Sequence, residues 1–321
     1  MTLVLGAVGQ RHAVLVADRR VTRSGIVLDD EYNKVTVLFC EDAKFAVAFT
    51  GMARIGQTPT HDWIASTLAR IAEDQPKSAD LLVALAASLS TAVAEQAGDD
   101  TRLALMLVGF VYWDSTPSGR IYEITNFATG GKGTNVFQTF SFSATGTAVA
   151  HAIGDTTHLH QATLPNLCSL VTCELTRSDL VRYAVFQTRR TARTAGARST
   201  IGETCNAITL LAPVNTLVTS TYHTTKHSQA AYGANVVIAQ GPLQTGEVVS
   251  GPGVVSGKEL RKKDPCWCGS GLAYSKCHLR KFGASNLYHP AWRLPLSSFV
   301  KLQRELVWPS GNVFTVSSSY V

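Results

Sequence analysis

Four side chains of types that bind metals lie close together near the C-terminal end of the sequence. Three of the seven cysteines fall within twelve residues of one another, and a histidine follows the last of them. The four candidate ligands are Cys266, Cys268, Cys277 and His278. Thiolate and imidazole groups complete the tetrahedron of a structural zinc site, and Gly269 and Gly271 permit a tight turn between the ligand pairs. The spacing predicts one structural Zn2+ per chain, with coincidental clustering of ordinary cysteines as the alternative.

Residues 257–281 closely resemble the SEC-C motif, a small zinc module at the C-terminus of the preprotein translocase ATPase and of many other proteins. The resemblance rests on the run from Asp264 to Gly271, on Tyr274 and Lys276, and on the two ligands that follow. It implies zinc binding and docking to a protein or ribosomal partner. It does not imply catalysis, because a closed site with four protein ligands leaves no position for a substrate. The motif usually ends a chain, whereas residues 282–321 follow it here.

A second group of reactive side chains consists of Thr2, Asp18 and Lys34. Threonine is small enough for the initiator Met1 to be removed, which would give Thr2 a free α-amine with a pKa of about 7.7–8.0. That amine can act as general base for the threonine's own hydroxyl, which makes Thr2 a candidate nucleophile. Lys34 would keep the amine neutral by like-charge repulsion, and Asp18 would orient Lys34.

The position of these side chains depends on a hairpin. Residues 2–8 and 12–17 are apolar runs of strand character joined by a short turn, which predicts an antiparallel pair. A three-residue turn at 9–11 places Thr2 opposite Asp18, with Cβ atoms about 5 Å apart, whereas a slip of one residue would put Arg19 there. Lys34 joins them if it points into the same site. The alternative is an ordinary strand residue beside a surface ion pair of little energy.

The rest of the chain alternates between strand and helix patterns. Strands are predicted at 35–39, 45–49, 103–112, 120–127, 136–142, 207–211, 216–222 and 234–239. Helical spacing follows Thr60, a predicted N-cap, and Ser78, and two further helices are predicted at 148–161 and 177–194. This order predicts an α+β fold: a four-layer αββα sandwich, with two packed antiparallel sheets between helix pairs, followed by a small zinc module.

Composition limits the class of protein. With 45% apolar and 16% charged residues, the 321-residue chain can bury a full core, which excludes global disorder. An odd, clustered set of cysteines is unlike a secreted disulfide framework. The start lacks the basic region of a signal peptide, and no run reaches the roughly 18 apolar residues of a membrane span. These features predict a cytoplasmic protein without a membrane segment. The charge of +6 fits either a solvated face or a surface for nucleic acid, a ribosome or an acidic protein.

The first 240 residues resemble the proteasome β-subunit family and its bacterial relative HslV. Thr2, the run Val16-Ala17-Asp18-Arg19-Arg20-Val21-Thr22 and Lys34 match the spacing of that family's threonine, aspartate and lysine. The resemblance implies an N-terminal-nucleophile hydrolase fold, a threonine-type endopeptidase acting on a peptide or protein, and a homo-oligomeric ring. It also implies a first specificity pocket for a mainly apolar side chain, lined by Val21, Phe49 and Ala53.

The same resemblance implies accessory residues. The run from Phe49 to Ala53 corresponds to the segment whose glycine N–H forms the oxyanion hole, which here is Gly51. The run Ala144-Thr145-Gly146-Thr147 corresponds to the segment of the accessory serine, whose role falls to Thr145. Residues 201–205 lie where the last accessory residues belong. No acidic residue stands at the position of the family's second aspartate, near residues 198–200.

The predicted organisation has four parts. A proteasome-like domain spans 1–240, a Gly/Pro/Ser linker 241–256, the zinc module 257–281 and a C-terminal extension 282–321. The predicted function is a cytoplasmic threonine-type peptidase with a zinc-bound docking module. Two alternatives stay open: a catalytically inactive scaffold that binds partners through the zinc module, and an amidase that uses the same nucleophile on a small molecule.

Overall fold

The structure is a computed structural model of the chain. It describes all residues except 1, 24, 97–100, 114–115, 128–132, 145–147, 173–176, 197–198, 214–217, 225–234, 239–247, 255–256, 260–262, 264–272, 277–287, 291–299, 308–312 and 321.

The regular elements of the described residues are helices in two sequential pairs and strands before, between and after them. The helices are α1 (Thr60–Asp74), α2 (Ser78–Ala94), α3 (Thr163–Thr172) and α4 (Arg177–Ala195). The strands are β1 (Leu3–Gly9), β2 (His12–Asp18), β3 (Val21–Arg23), β4 (Ile26–Asp29), β5 (Val35–Phe39), β6 (Ala43–Gly51), β7 (Arg54–Ile55), β8 (Thr58–Pro59), β9 (Leu103–Trp113), β10 (Thr116–Phe127), β11 (Gly133–Ser143), β12 (Ala148–Gly154), β13 (Cys205–Leu211), β14 (Val218–Thr224), β15 (Asn235–Ile238), β16 (Val248–Val254), β17 (Gly257–Glu259), β18 (Tyr288–Pro290), β19 (Val300–Val307) and β20 (Val313–Tyr320).

Two large sheets contain most of these strands. The first has the order β12-β1-β2-β13-β14-β16-β20-β19, and the second has the order β11-β10-β9-β6-β5-β15. Most neighbouring strands are antiparallel; the parallel pairs in the described residues are β14 with β16, β16 with β20, and β5 with β15. The predicted mixed architecture of antiparallel sheets with two pairs of helices is confirmed.

Alternation along the strands sorts apolar side chains into separate layers. In β1, Val4 and Val8 pack between the two sheets, whereas Leu3, Leu5 and Ala7 pack towards α3 and α4. This is the alternation that the sequence predicts for a strand with two buried faces. A third apolar cluster joins the outer face of the second sheet to α1 and α2. The layers therefore follow the order helices, sheet, sheet, helices.

The predicted helix at 148–161 is wrong. Residues 148–154 form β12, which pairs antiparallel with all of β1, from Leu3 opposite Gly154 to Gly9 opposite Ala148. Val149 and Ile153 face the space between the sheets, and the alanines between them face α3. The alanines favour helix locally, but pairing with β1 overrides that preference because the segment extends the sheet. The helix that follows begins only at Thr163.

Two smaller differences concern element ends. Pro59, and not Thr60, is the N-cap of α1, and the Thr60 hydroxyl donates to the Met52 carbonyl at 2.8 Å instead of capping the helix. Part of the predicted linker, Val248–Val254, forms β16 beside β14 in the first sheet. None of the helices in the described part of the chain is long and apolar enough to cross a membrane.

Candidate active site

The register of the N-terminal hairpin differs from the prediction by one residue. Val4 lies opposite Ala17 and Val8 opposite Ala13, so the same register continued places Leu3 opposite Asp18 and Thr2 opposite Arg19. The predicted facing pair of Thr2 and Asp18 is therefore wrong. The cause is the turn, because only two residues, 10 and 11, separate β1 from β2, and a two-residue hairpin loop sets a different register from a three-residue one.

Asp18 nevertheless reaches the site through its side chain. The carboxylate is fully buried and accepts backbone hydrogen bonds from Leu3 at 2.7 Å, Arg20 at 2.8 Å and Gly202 at 3.1 Å. Burial raises the pKa of Asp18, while Lys34 and these three N–H groups oppose the rise. Three segments of the chain therefore hold this carboxylate in one orientation.

Lys34 connects Asp18 to Thr2. Its buried ammonium group donates a hydrogen bond to the Thr2 hydroxyl and another to the Arg20 carbonyl at 2.5 Å, and it lies 3.5 Å from the Asp18 carboxylate. Burial lowers the pKa of Lys34, and the carboxylate of Asp18 opposes that effect. The structure therefore brings together the hydroxyl, the carboxylate and the ammonium that the sequence singled out.

Thr50 holds the main chain of Thr2, a contact that the sequence analysis missed. The Thr50 hydroxyl oxygen lies 3.0 Å from the Thr2 nitrogen and 3.0 Å from the Thr2 carbonyl oxygen. The Asp155 N–H also donates to that carbonyl, at 2.9 Å. Gly154 allows the close approach: its φ is +94°, and an added Cβ would lie 1.8 Å from the Thr2 carbonyl oxygen. The only available signal for Thr50 was its place immediately before Gly51.

Gly51 ends β6, directly after Thr50. Its φ is +108°, and an added Cβ would lie 2.1 Å from the Arg102 carbonyl oxygen, so this position requires glycine. The predicted oxyanion-hole residue thus lies next to the residue that holds Thr2. Thr145, the predicted accessory residue, lies outside the described residues.

Tyr32 braces the segment that follows Gly51. Its hydroxyl donates to the Ala53 carbonyl and accepts the Thr60 N–H at 3.1 Å, and its ring meets Phe49 edge-on at 6.4 Å. Of the side chains proposed for a specificity pocket, Phe49 is buried, whereas Val21 and Ala53 are partly exposed. The loop after Gly51 is therefore fixed from two sides.

An acidic residue, Asp155, contacts the Thr2 main chain through its N–H, and it comes from a different segment from residues 198–200. The Asp155 carboxylate accepts a hydrogen bond from the Thr200 hydroxyl at 2.8 Å. Burial raises the pKa of Asp155, but hydrogen bonds from Thr200 and Thr157 outweigh it, so the pKa lies below its ordinary value. The sequence analysis missed Asp155 because it placed the residue inside a helix.

The four predicted zinc ligands, Cys266, Cys268, Cys277 and His278, lie outside the described residues. Within the residues that are described, no group of three or more His, Cys, Asp or Glu side chains forms a metal site. The donor set itself fits zinc, since three thiolates and one imidazole satisfy a tetrahedral structural site.

Comparison with known proteins identifies the C-terminal motif and a structural likeness. Residues 263–280 match the family model of the SEC-C motif, which confirms the motif predicted from the cysteine spacing. No curated protein matches the sequence. Among solved structures, the chain is similar to Anbu (ancestral beta-subunit) from Yersinia bercovieri, with 11% identity over 66% of this chain and 82% of that chain and a TM-score of 0.47. It is also similar to a mutant of Anbu from Hyphomicrobium sp. strain MC1, with 12% identity over the same shares and a TM-score of 0.44.

Proposed function

We propose that the chain is an N-terminal-threonine hydrolase, a threonine-type endopeptidase in which Thr2 is the nucleophile once Met1 has been removed. One observation carries the proposal: the ammonium group of Lys34 is hydrogen-bonded to the Thr2 hydroxyl and paired with Asp18, and all three side chains are buried. Burying a lysine, an aspartate and a reactive hydroxyl together costs stability, and functional sites are where such arrangements concentrate.

The contacts support a defined role for each group. The α-amine of Thr2 takes the proton of the threonine hydroxyl, and the oxygen attacks the carbonyl carbon of the substrate amide. The amine then gives that proton to the leaving nitrogen, and water hydrolyses the resulting ester. The positive charge of Lys34 stabilises the developing alkoxide and disfavours protonation of the amine, and Asp18 keeps Lys34 in place. The N–H of Gly51 is the proposed donor to the oxyanion, with Thr145 as an accessory residue.

Asp155 extends this assignment. Its N–H donates a hydrogen bond to the Thr2 carbonyl, and its carboxylate accepts one from the Thr200 hydroxyl. A carboxylate kept ionised beside an amine stabilises the protonated form that appears after the amine has taken the proton. Lys34 would thus disfavour protonation of the Thr2 amine, and Asp155 would favour it.

The C-terminal part has a separate proposed role. Cys266, Cys268, Cys277 and His278 would hold one structural Zn2+, which would stabilise the fold of the module and supply no chemistry to the hydrolase site. The module would dock a protein or ribosomal partner, and the hydrolase domain would assemble into a homo-oligomeric ring in the cytoplasm. The proposed boundaries are 1–240 for the hydrolase domain and 257–281 for the module.

The experiment that tests the hydrolase proposal is covalent labelling. A peptide epoxyketone reacts with both the hydroxyl and the α-amine of an N-terminal threonine, so it should modify Thr2 in the full chain. Intact mass first establishes that Met1 is absent, and Thr2→Ala provides the control that should remain unmodified. An unlabelled Thr2 in a chain shown to lack Met1 and to be assembled would overturn the enzyme proposal.

A docking protein without catalysis is the second candidate, and the match of residues 263–280 to the SEC-C motif favours it independently. Partner binding that survives Thr2→Ala, in a chain that the epoxyketone never labels, would be the result expected of it.

A further inference from the structure

We infer that Thr50 is a positioning residue whose hydroxyl holds the α-amine of Thr2 in the orientation that accepts the nucleophile's proton. This inference rests on the proposed function. It concerns a residue to which the sequence resemblance assigns no role and that touches the general base rather than the substrate.

The hydrogen-bond roles follow from the two partners of the Thr50 hydroxyl. A carbonyl oxygen can only accept, so the Thr50 hydroxyl must give its one proton to the Thr2 carbonyl at 3.0 Å. Its lone pairs then face the Thr2 nitrogen, also at 3.0 Å, and accept an N–H from it. One hydroxyl therefore binds both the nitrogen and the carbonyl of Thr2, and this nitrogen, a backbone amide in the full sequence, becomes the α-amine when Met1 is removed.

The hydrogen bonds between Thr50 and Thr2 have a fixed geometry because the segments that carry both residues are rigid. Thr50 is fully buried in β6, where it pairs with Ala104 of β9. Its β-branched side chain has few accessible rotamers. The Asp155 N–H binds the same Thr2 carbonyl, and Gly154 leaves room for the close approach. The amine of the mature chain would thus be oriented before any substrate arrives, which removes an ordering cost from the reaction.

The hydrogen bond from the Thr2 nitrogen to the Thr50 hydroxyl also has an electrostatic consequence. An ammonium donates a stronger hydrogen bond than a neutral amine, so the acceptor at Thr50 stabilises the protonated amine relative to a variant without it. Loss of the hydroxyl should therefore lower the pKa of the amine while it also frees the amine to rotate. Such a variant retains the other charged or titratable residues at the site, which are Lys34, Asp18, Arg19, Asp155 and Cys205.

The test measures the rate of epoxyketone labelling of Thr2 as a function of pH in full-length chains that have lost Met1. Thr50→Val keeps the shape of the side chain and removes the hydroxyl, and Thr50→Ser restores the hydroxyl. Thr209→Val is the matched control, because Thr209 is a buried threonine of β13 whose register partners, Val14 and Thr219, are not among the site residues described above. Thr50→Ala repeats the test if the valine variant does not fold.

The expected result has two parts. In Thr50→Val, the maximal labelling rate falls about tenfold, equivalent to about 1.4 kcal/mol, and the acid limb of the pH profile moves to lower pH. Thr50→Ser and Thr209→Val keep the wild-type profile. A merely structural role would reduce the labelled fraction without moving the acid limb, and that outcome overturns the inference, as does an unchanged Thr50→Val. A wild-type chain that is not labelled overturns the proposed function itself, whereas a labelled wild type beside an unchanged variant overturns only the role of Thr50.

Discussion

Lys34 lies 32 residues after Thr2 in the sequence, yet its ammonium group donates a hydrogen bond to the Thr2 hydroxyl inside the protein. Lys34 does not belong to the β1–β2 hairpin that carries Thr2. The contact is made from the segment that enters β5, in the second sheet, so the candidate site joins the two sheets of the sandwich.

Replacing Lys34 should affect labelling of Thr2 more than replacing Asp18. Lys34→Met removes the charge but keeps an apolar stem, and labelling should fall tenfold or more, at least about 1.4 kcal/mol in barrier. Asp18→Asn should cause a smaller loss because Asp18 acts through Lys34. Rates of epoxyketone labelling provide the measurement, and Lys77→Ala, at an exposed lysine, is the control. Equal rates in Lys34→Met and the wild type would contradict the assignment.

Tyr32→Phe should slow the labelling of Thr2, whereas Tyr112→Phe should not slow it to a comparable extent. Both tyrosines donate a hydroxyl hydrogen bond to a backbone carbonyl, Tyr32 to Ala53 and Tyr112 to Ala212. Each variant should lose about 1 kcal/mol of stability, measured by urea unfolding. Only the Ala53 contact supports the loop after Gly51, so a severalfold loss of labelling rate is expected for Tyr32→Phe alone. A similar loss in both variants would point to stability as the cause.

His223 should make the folded state sensitive to mild acid. Burial, followed by the charges of Arg189 and Arg182, lowers the pKa of His223 from 6.5 to about 3. Between pH 6.5 and 3, His223 is therefore protonated in the unfolded chain but neutral in the folded chain. The free energy of unfolding consequently falls as pH decreases from 6.5 towards 3. Between pH 6.5 and 5 the loss should be of the order of 2 kcal/mol.

Denaturant unfolding at pH 7 and pH 5 measures this effect. His223→Gln keeps a polar partner for the Thr221 hydroxyl, which lies 2.8 Å from the imidazole, and it should reduce the pH dependence. His158→Gln, at an exposed histidine, should leave it unchanged. The same slope in all three proteins would show that His223 is not the titrating group.

The zinc module should be separable from the hydrolase domain. Purified chain should contain close to one zinc per chain, and the double variant Cys266→Ser with Cys268→Ser should contain none, because two remaining ligands cannot hold a structural ion. Metal analysis measures the content, and circular dichroism should show that the N-terminal domain keeps its fold. Stoichiometric zinc in the double variant would mean that other residues are the ligands.

Elements with a local signal could be predicted from the residues alone. β5 occupies the predicted residues 35–39, and the helices α2 and α4 lie where the helical spacing indicated them. The same holds for the two buried faces of β1, because alternation along one strand already sorts its side chains between two apolar layers. The zinc motif is equally local, since all its candidate ligands lie within one short segment.

The groups that meet at Thr2 are set by long-range contacts. Thr50 lies 48 residues from Thr2, and the N–H that Gly202 donates to Asp18 comes from 184 residues away. Those contacts depend on how the two sheets stack and on the register that the two-residue turn sets between β1 and β2. Neither feature produces a periodic pattern in the sequence. For the same reason Asp155 was missed: its segment favours a helix locally, and pairing with β1 makes it a strand that ends beside Thr2. Pairing energy between distant segments exceeded local preference there, because a sheet edge offers a whole row of backbone hydrogen bonds.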